Sequence, residues 1–143
     1  MSRQRSRARR LAVQGLYQWQ VAGQDVGSIV TQFLNDPESG QFDRAYFADL
    51  VRGVPARLSE LDGALAAHLD RDLRRVDPVE RAILRLGAYE LLAHPETPYR
   101  VVINEMVELA KTFGAEQGHR YVNGVLDKLA PELRPVEVAA RRT

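Results

Sequence analysis

Asp77-Pro78-Val79-Glu80-Arg81-Ala82-Ile83-Leu84-Arg85-Leu86-Gly87-Ala88-Tyr89-Glu90-Leu91-Leu92-Ala93 reads as one helix with its start signal attached. Asp77 suits the N-cap, Pro78 the first helical position, and Glu80 the reciprocal capping-box position. Ile83, Leu84, Leu86, Gly87, Ala88, Leu91 and Leu92 cover most of the circumference, which predicts a buried central helix. His94-Pro95-Glu96-Thr97-Pro98 then forms a rigid turn.

Helical spacing extends to both sides of this segment. Before it, Ala8, Leu11, Ala12, Gly15, Leu16 and Trp19 recur at steps of three and four, predicting a helix from about 7 to 22. Val26, Ile29, Val30, Phe33 and Leu34 predict a second helix to about 35, followed by a loop at Asp36-Pro37-Glu38-Ser39-Gly40. A long pattern from Phe47 to Leu69 is interrupted by Gly53 and Pro55, so two helices, or one sharply kinked, should meet there. After the central helix, one from about 99 to 113 stops at Gly114, and one from about 116 to 129 stops before Pro131. No hairpin signal separates alternating segments. The expectation is an all-α fold: a compact single domain of about seven helices over 7–130, with a flexible arginine-rich arm at 1–6 and a mobile tail at 131–143.

Composition narrows the function classes. The 143 residues include no cysteine, which removes disulfides, thiol nucleophiles and Cys-ligated metal sites. The three histidines lack metal-ligand spacing, and there is no phosphate-cradling glycine loop or nucleophile elbow. Glu105 and Glu108 share a helix face with Lys111, a solvated pattern, and Asp70, Asp72, Arg71, Arg74 and Arg75 read as a charged surface loop. No catalytic residues, metal or cofactor are therefore expected. No run approaches a membrane span, and the polar stretch after Arg9-Arg10 does not suit an export signal, so a cytoplasmic protein is expected.

The net charge of +1 is unevenly distributed. Residues 1–24 hold Arg3, Arg5, Arg7, Arg9 and Arg10 and no acid, so a basic end sits on a mildly acidic body. Such an end meets polyanions, although a basic terminus also serves solubility alone. A second constellation is Lys111-Thr112-Phe113-Gly114-Ala115-Glu116-Gln117-Gly118-His119-Arg120-Tyr121-Val122-Asn123-Gly124-Val125-Leu126-Asp127-Lys128. Gly114 joins two helices tightly, so Phe113, Gln117, Arg120 and Tyr121 can cluster at one corner. Rings beside a guanidinium suit unpaired bases; taken alone, rings in such positions are more often core than ligand.

Four blocks in order make the chain resemble the NusB family of bacterial transcription antitermination proteins. They are residues 12–20 (Ala12 to Gln20), Tyr46-Phe47-Ala48-Asp49-Leu50-Val51, Val79-Glu80-Arg81-Ala82-Ile83-Leu84-Arg85, and the 111–128 block. The resemblance implies two small packed helical bundles. It also implies binding of single-stranded boxA RNA as a heterodimer with NusE, a small-subunit ribosomal protein, and entry into the RNA polymerase antitermination complex on rRNA operons. By resemblance, Arg5, Arg7, Arg9 and Arg10 hold RNA backbone, while His68, Phe113, Gln117, Arg120 and Tyr121 lie near bases. Tyr17 and Glu80 face NusE. The chain departs from the family at Gly118, Arg120 and Tyr121, where serine, lysine and phenylalanine are frequent; Gln117 replaces a common acid, and His68 stands where an aromatic ring can occur. Two other readings remain: a homodimeric helical interaction module, and a detached N-terminal domain of an rRNA methyltransferase, whose fold is the same.

Overall fold

The computed structural model describes residues 2–142. The described residues form eight α-helices and two short 3-10 turns, with no strand among them. The chain divides after Arg57 into two compact units.

The first unit contains α1 (Arg3–Ala22), α2 (Val26–Asn35) and α3 (Arg44–Ala56). The helix expected from about residue 7 begins at Arg3, because the Ser2 side chain caps it by accepting from Arg5 N–H. Residues 3–6, read from sequence as part of an arm, are its first turn. Asp25 and Asp43 cap α2 and α3 in the same way. Gly15 brings α1 close to α2: a Cβ there would stand 3.0 Å from Ile29 Cγ2. Phe33, Phe42 and Phe47 pack as neighbouring rings in the core, their centroids 5.5 and 5.6 Å from the Phe47 ring.

The second unit contains α4 (Leu58–Ala66), α5 (Pro78–Ala93), α6 (Tyr99–Phe113), α7 (Gly118–Leu133) and α8 (Pro135–Arg142). The break around Pro55 separates α3 from α4. α5 is the buried central element, as its pattern predicts: Ala82, Ile83, Leu84, Leu86, Ala88 and Leu91 are each at most 1% exposed. At Gly87 a Cβ would meet Leu126 Cδ1 at 2.8 Å, so the missing side chain lets α5 and α7 pack closely.

The C-terminal end differs from the expected tail. α7 runs through Pro131 to Leu133, since a proline in the final turn removes one hydrogen bond without stopping the helix. Pro135 then opens α8, the eighth helix. Arg134 joins the two and is buried. Its guanidinium donates to the carbonyls of Leu91 (2.6 Å), Glu90 (3.2 Å), His94 (2.9 Å) and Thr97 (3.0 Å). It thereby satisfies carbonyls at the end of α5, where a cation is favoured. The Glu137 carboxylate accepts from both Arg134 and Tyr99 N–H, tying α8 to the start of α6.

Candidate nucleic-acid interface

The helical pitch of α1 sorts the arginines into two classes. Arg5 and Arg9, four residues apart, turn inward. Their guanidinium carbons lie 4.1 and 5.4 Å from the centroid of the buried Tyr46 ring. Arg5 also sits 3.7 Å from Asp43. Arg9 is 1% exposed, which corrects its expected role on RNA backbone: a side chain covered by α3 cannot meet a phosphate. The helical pitch is the reason: residue 9 falls on the same side of α1 as the buried Ala12 and Leu16. Arg3, Arg7 and Arg10 turn outward.

The outward side continues past the arginines. Steps of three and four carry it through Gln14, Tyr17 and Val21, all exposed, with Tyr17 at 40% and Val21 at 54%. Arg3 therefore joins the expected set. Its membership was legible from the 3, 7, 10 spacing once the helix is started at Arg3.

In the second unit the corner between α6 and α7 is built tightly. Gly114 N–H donates to Ala110 O at 2.8 Å, and a Cβ at residue 114 would meet that same oxygen at 2.7 Å, so only glycine fits. Gln117 then takes φ 72°, the left-handed region that a non-glycine residue occupies at some strain. It is exposed at the N-cap of α7, with Arg120 exposed one turn on and Phe113 and Tyr121 half-buried.

Glu80 holds this corner from below. It is 8% exposed, and its carboxylate accepts from the Ala115 N–H. A Cβ at Gly118 would collide with its Oε2, so glycine there makes room for the carboxylate. Burial, reinforced by the nearby Asp77 charge, pushes the Glu80 carboxyl above the ordinary glutamate range. Asp77 caps α5 through Val79 and Glu80 N–H. The expected outward-facing Glu80 is thus an inward brace, because the corner folds over it.

The charged loop before α5 also reaches the corner. The Tyr121 phenol donates to Asp70 Oδ1 at 3.0 Å. Arg71 chelates Asp70 at 2.7 and 2.9 Å and lies over the Tyr121 ring, 5.0 Å from its centroid. The Arg71 hydrogen bond holds the Asp70 carboxyl down at about 2. Asp70 and Arg71 were missed from sequence as parts of this site; pairing 51 residues apart leaves no local signal. His68 is not brought to that ring. Its Nε2 lies 2.6 Å from Glu132, three turns further along α7 than Tyr121.

Among the described residues there is no cluster of three or more His, Asp or Glu able to hold a metal, and no helix long and apolar enough to cross a membrane.

Comparison with known proteins agrees with this picture. A model described as the NusB family matches residues 6–131. The transcription antitermination protein NusB of Nitrosococcus oceani is 59% identical over 141 residues, 99% of this chain and 95% of its own length. Among solved structures, NusB of T. maritima matches with a TM-score of 0.81 at 31% identity, covering 92% of this chain and 94% of that one. A chain from the structure of antitermination factors NusB and NusE in complex with dsRNA matches with a TM-score of 0.82 at 29% identity, covering 92% and 99%.

Proposed function

This chain belongs to the NusB family, and from that premise we propose that it is a transcription antitermination factor that binds RNA together with NusE. It works in the cytoplasm on a single-stranded boxA element of rRNA operons and joins the RNA polymerase antitermination complex. Its role is to bind and to bridge, not to catalyse. The observation that carries this reading is the outward side of α1, where Arg3, Arg7 and Arg10 lead into Tyr17 and Val21.

Arginine suits the first half of that side because its planar fork grips phosphate oxygens in pairs. Tyr17 and Val21 give the second half an apolar surface suited to a protein partner. At the α6–α7 corner, Phe113 and Tyr121 supply stacking surfaces, and Gln117 and Arg120 supply hydrogen-bond edges. Glu80 serves NusE and RNA indirectly, by fixing the corner. Arg5 and Arg9 seat α1 on Tyr46, and His68 stays out of the base-binding set because its ring is engaged by Glu132.

The test is a titration of boxA RNA and a scrambled control, with and without NusE, across a range of salt. Tightest binding is expected for boxA with NusE present, and three phosphate contacts from α1 should contribute a log–log salt slope of about −2. Equal, salt-insensitive binding of both RNAs would refute the reading.

A further inference from the structure

Beside the outward arginines of α1 lies a hollow of about 380 Å³, closed on its other flank by α2 and the 3-10 turn that follows. Leu11 and Phe33 give it an apolar lining, and Gln14 and Gln32 bring amide groups to it from α1 and α2. Asp36, Glu38 and Ser39 form the remaining wall. Arg7 and Arg10 line the same hollow, so it is continuous with the proposed phosphate-binding stripe.

The wall is fixed before any ligand arrives. Asp36 Oδ1 accepts from Glu38 N–H at 2.9 Å, and Ser39 Oγ donates to Phe33 O at 2.8 Å. Gln24 Nε2 donates to Gln32 Oε1 at 3.2 Å, which orients that amide. Arg7 Nη1 donates to Gln41 O at 3.2 Å, tethering its guanidinium close to the 3-10 turn.

We propose that this hollow is a subsite for one nucleobase of the bound RNA, an amino-bearing base and not uracil; the proposal rests on the RNA-binding reading above. The volume falls in the lower part of the range for small-ligand pockets, enough for one splayed base. Apolar side chains receive the face of a base. Carboxylates accept from exocyclic amino groups, and a glutamine amide matches an edge that both donates and accepts. Uracil would bring two carbonyl oxygens against Asp36 and Glu38. The acids also disfavour a phosphate within the hollow, whereas Arg7 and Arg10 favour phosphates on either side of the base. Those two cations favour RNA over a protein side chain as occupant.

The test uses the full chain with a series of boxA RNAs, each carrying one abasic nucleotide. One position should lose about tenfold in affinity on removal of its base, a typical stacking contribution, and uracil at that position should lose as much. In Gln14→Ala and in Glu38→Gln, both substitutions at exposed positions, the same abasic RNA should show at most half that penalty on a logarithmic scale, while other positions keep theirs. Identical abasic profiles in the unmodified chain and both variants would overturn the subsite and leave RNA binding intact. Failure of the unmodified chain to bind any of the RNAs would overturn both. Variants that weaken NusE binding with an unchanged abasic profile would assign the hollow to a protein side chain and overturn the proposal.

Discussion

Arg71 is stacked on Tyr121 and clamped to the carboxylate that accepts the Tyr121 phenol, so Asp70, Arg71 and Tyr121 form one closed unit. The phenol–Asp70 bond orients the ring and the guanidinium covers one side of it. We predict that Tyr121→Ala lowers RNA affinity by about tenfold or more, as for a lost stacking platform. Tyr121→Phe, which keeps the ring, should stay within roughly threefold, and Arg71→Ala should fall between them. Fluorescence anisotropy titrations measure all three; an unaltered affinity in Tyr121→Ala would remove the corner from the RNA site.

Acid should act on this corner in two opposite ways. Asp70 is held at about 2 by Arg71, below its ordinary value of 3.8, so its stabilising contribution is present above that value and lost as pH falls towards 2. Glu80 is raised by burial, so the fold favours its protonated form: that contribution is complete below the ordinary glutamate range and is lost as pH rises through the raised value. Raising the pH through that value removes a contribution that an uncharged side chain at residue 80 would keep. We expect Glu80→Gln to match or slightly exceed the parent in stability at pH 7. Glu80→Ala should cost about 1–3 kcal/mol, because the Ala115 N–H loses its acceptor. Carboxyl-carbon NMR titration of the parent should place the Asp70 midpoint near 2 and that of Glu80 well above it.

Neighbouring arginines should behave as different kinds of residue. Arg9→Ala should destabilise the fold by about 1–3 kcal/mol, since it removes a covered cation and its methylene packing from Tyr46. Arg10→Ala should leave stability within about 0.5 kcal/mol, as exposed substitutions do. It should also flatten the log–log salt dependence of RNA binding by roughly 0.7, one single-strand phosphate contact. Denaturant unfolding and binding at several salt concentrations separate the two. The same slope loss in both variants would contradict the division of α1.

Arg134 is expected to be among the most sensitive positions. Arg134→Ala strips partners from four carbonyls around the end of α5 and leaves Glu137 without its cation, so about 3 kcal/mol or more should be lost. Thermal unfolding reports the loss, and hydrogen exchange should show early opening of α8. An unchanged midpoint would mean these bonds contribute little.

Most of the helices were legible because their signals are local. Asp77-Pro78 marks the start of α5, Gly114 the end of α6, and Pro55 lies at the break between α3 and α4. The two ends were misread for a physical reason: the first turn of α1 after Ser2 holds no core residue, and the helix that Pro135 starts has few. Among the described residues of α8 only Val138 is a buried apolar side chain, and its anchor is a buried arginine, which a hydrophobic pattern cannot register. The site divided likewise. The corner residues are neighbours in sequence and could be grouped, whereas Asp70 and Arg71 reach Tyr121 only through the tertiary fold. Arg9 and Glu80 carry charges, and charge suggests exposure, yet both are buried with the partners that make burial tolerable.

Gln117 in its left-handed conformation sets a trade-off for anyone engineering this molecule. Glycine at that position would relieve strain of about 1–2 kcal/mol, so a screen for heat resistance alone would readily enrich it. The hardened variant would lack the amide at the corner, and toughness would have been selected at the expense of grip. Stabilising campaigns should therefore leave residue 117 untouched, or score every winner on nucleic acid as well as on temperature.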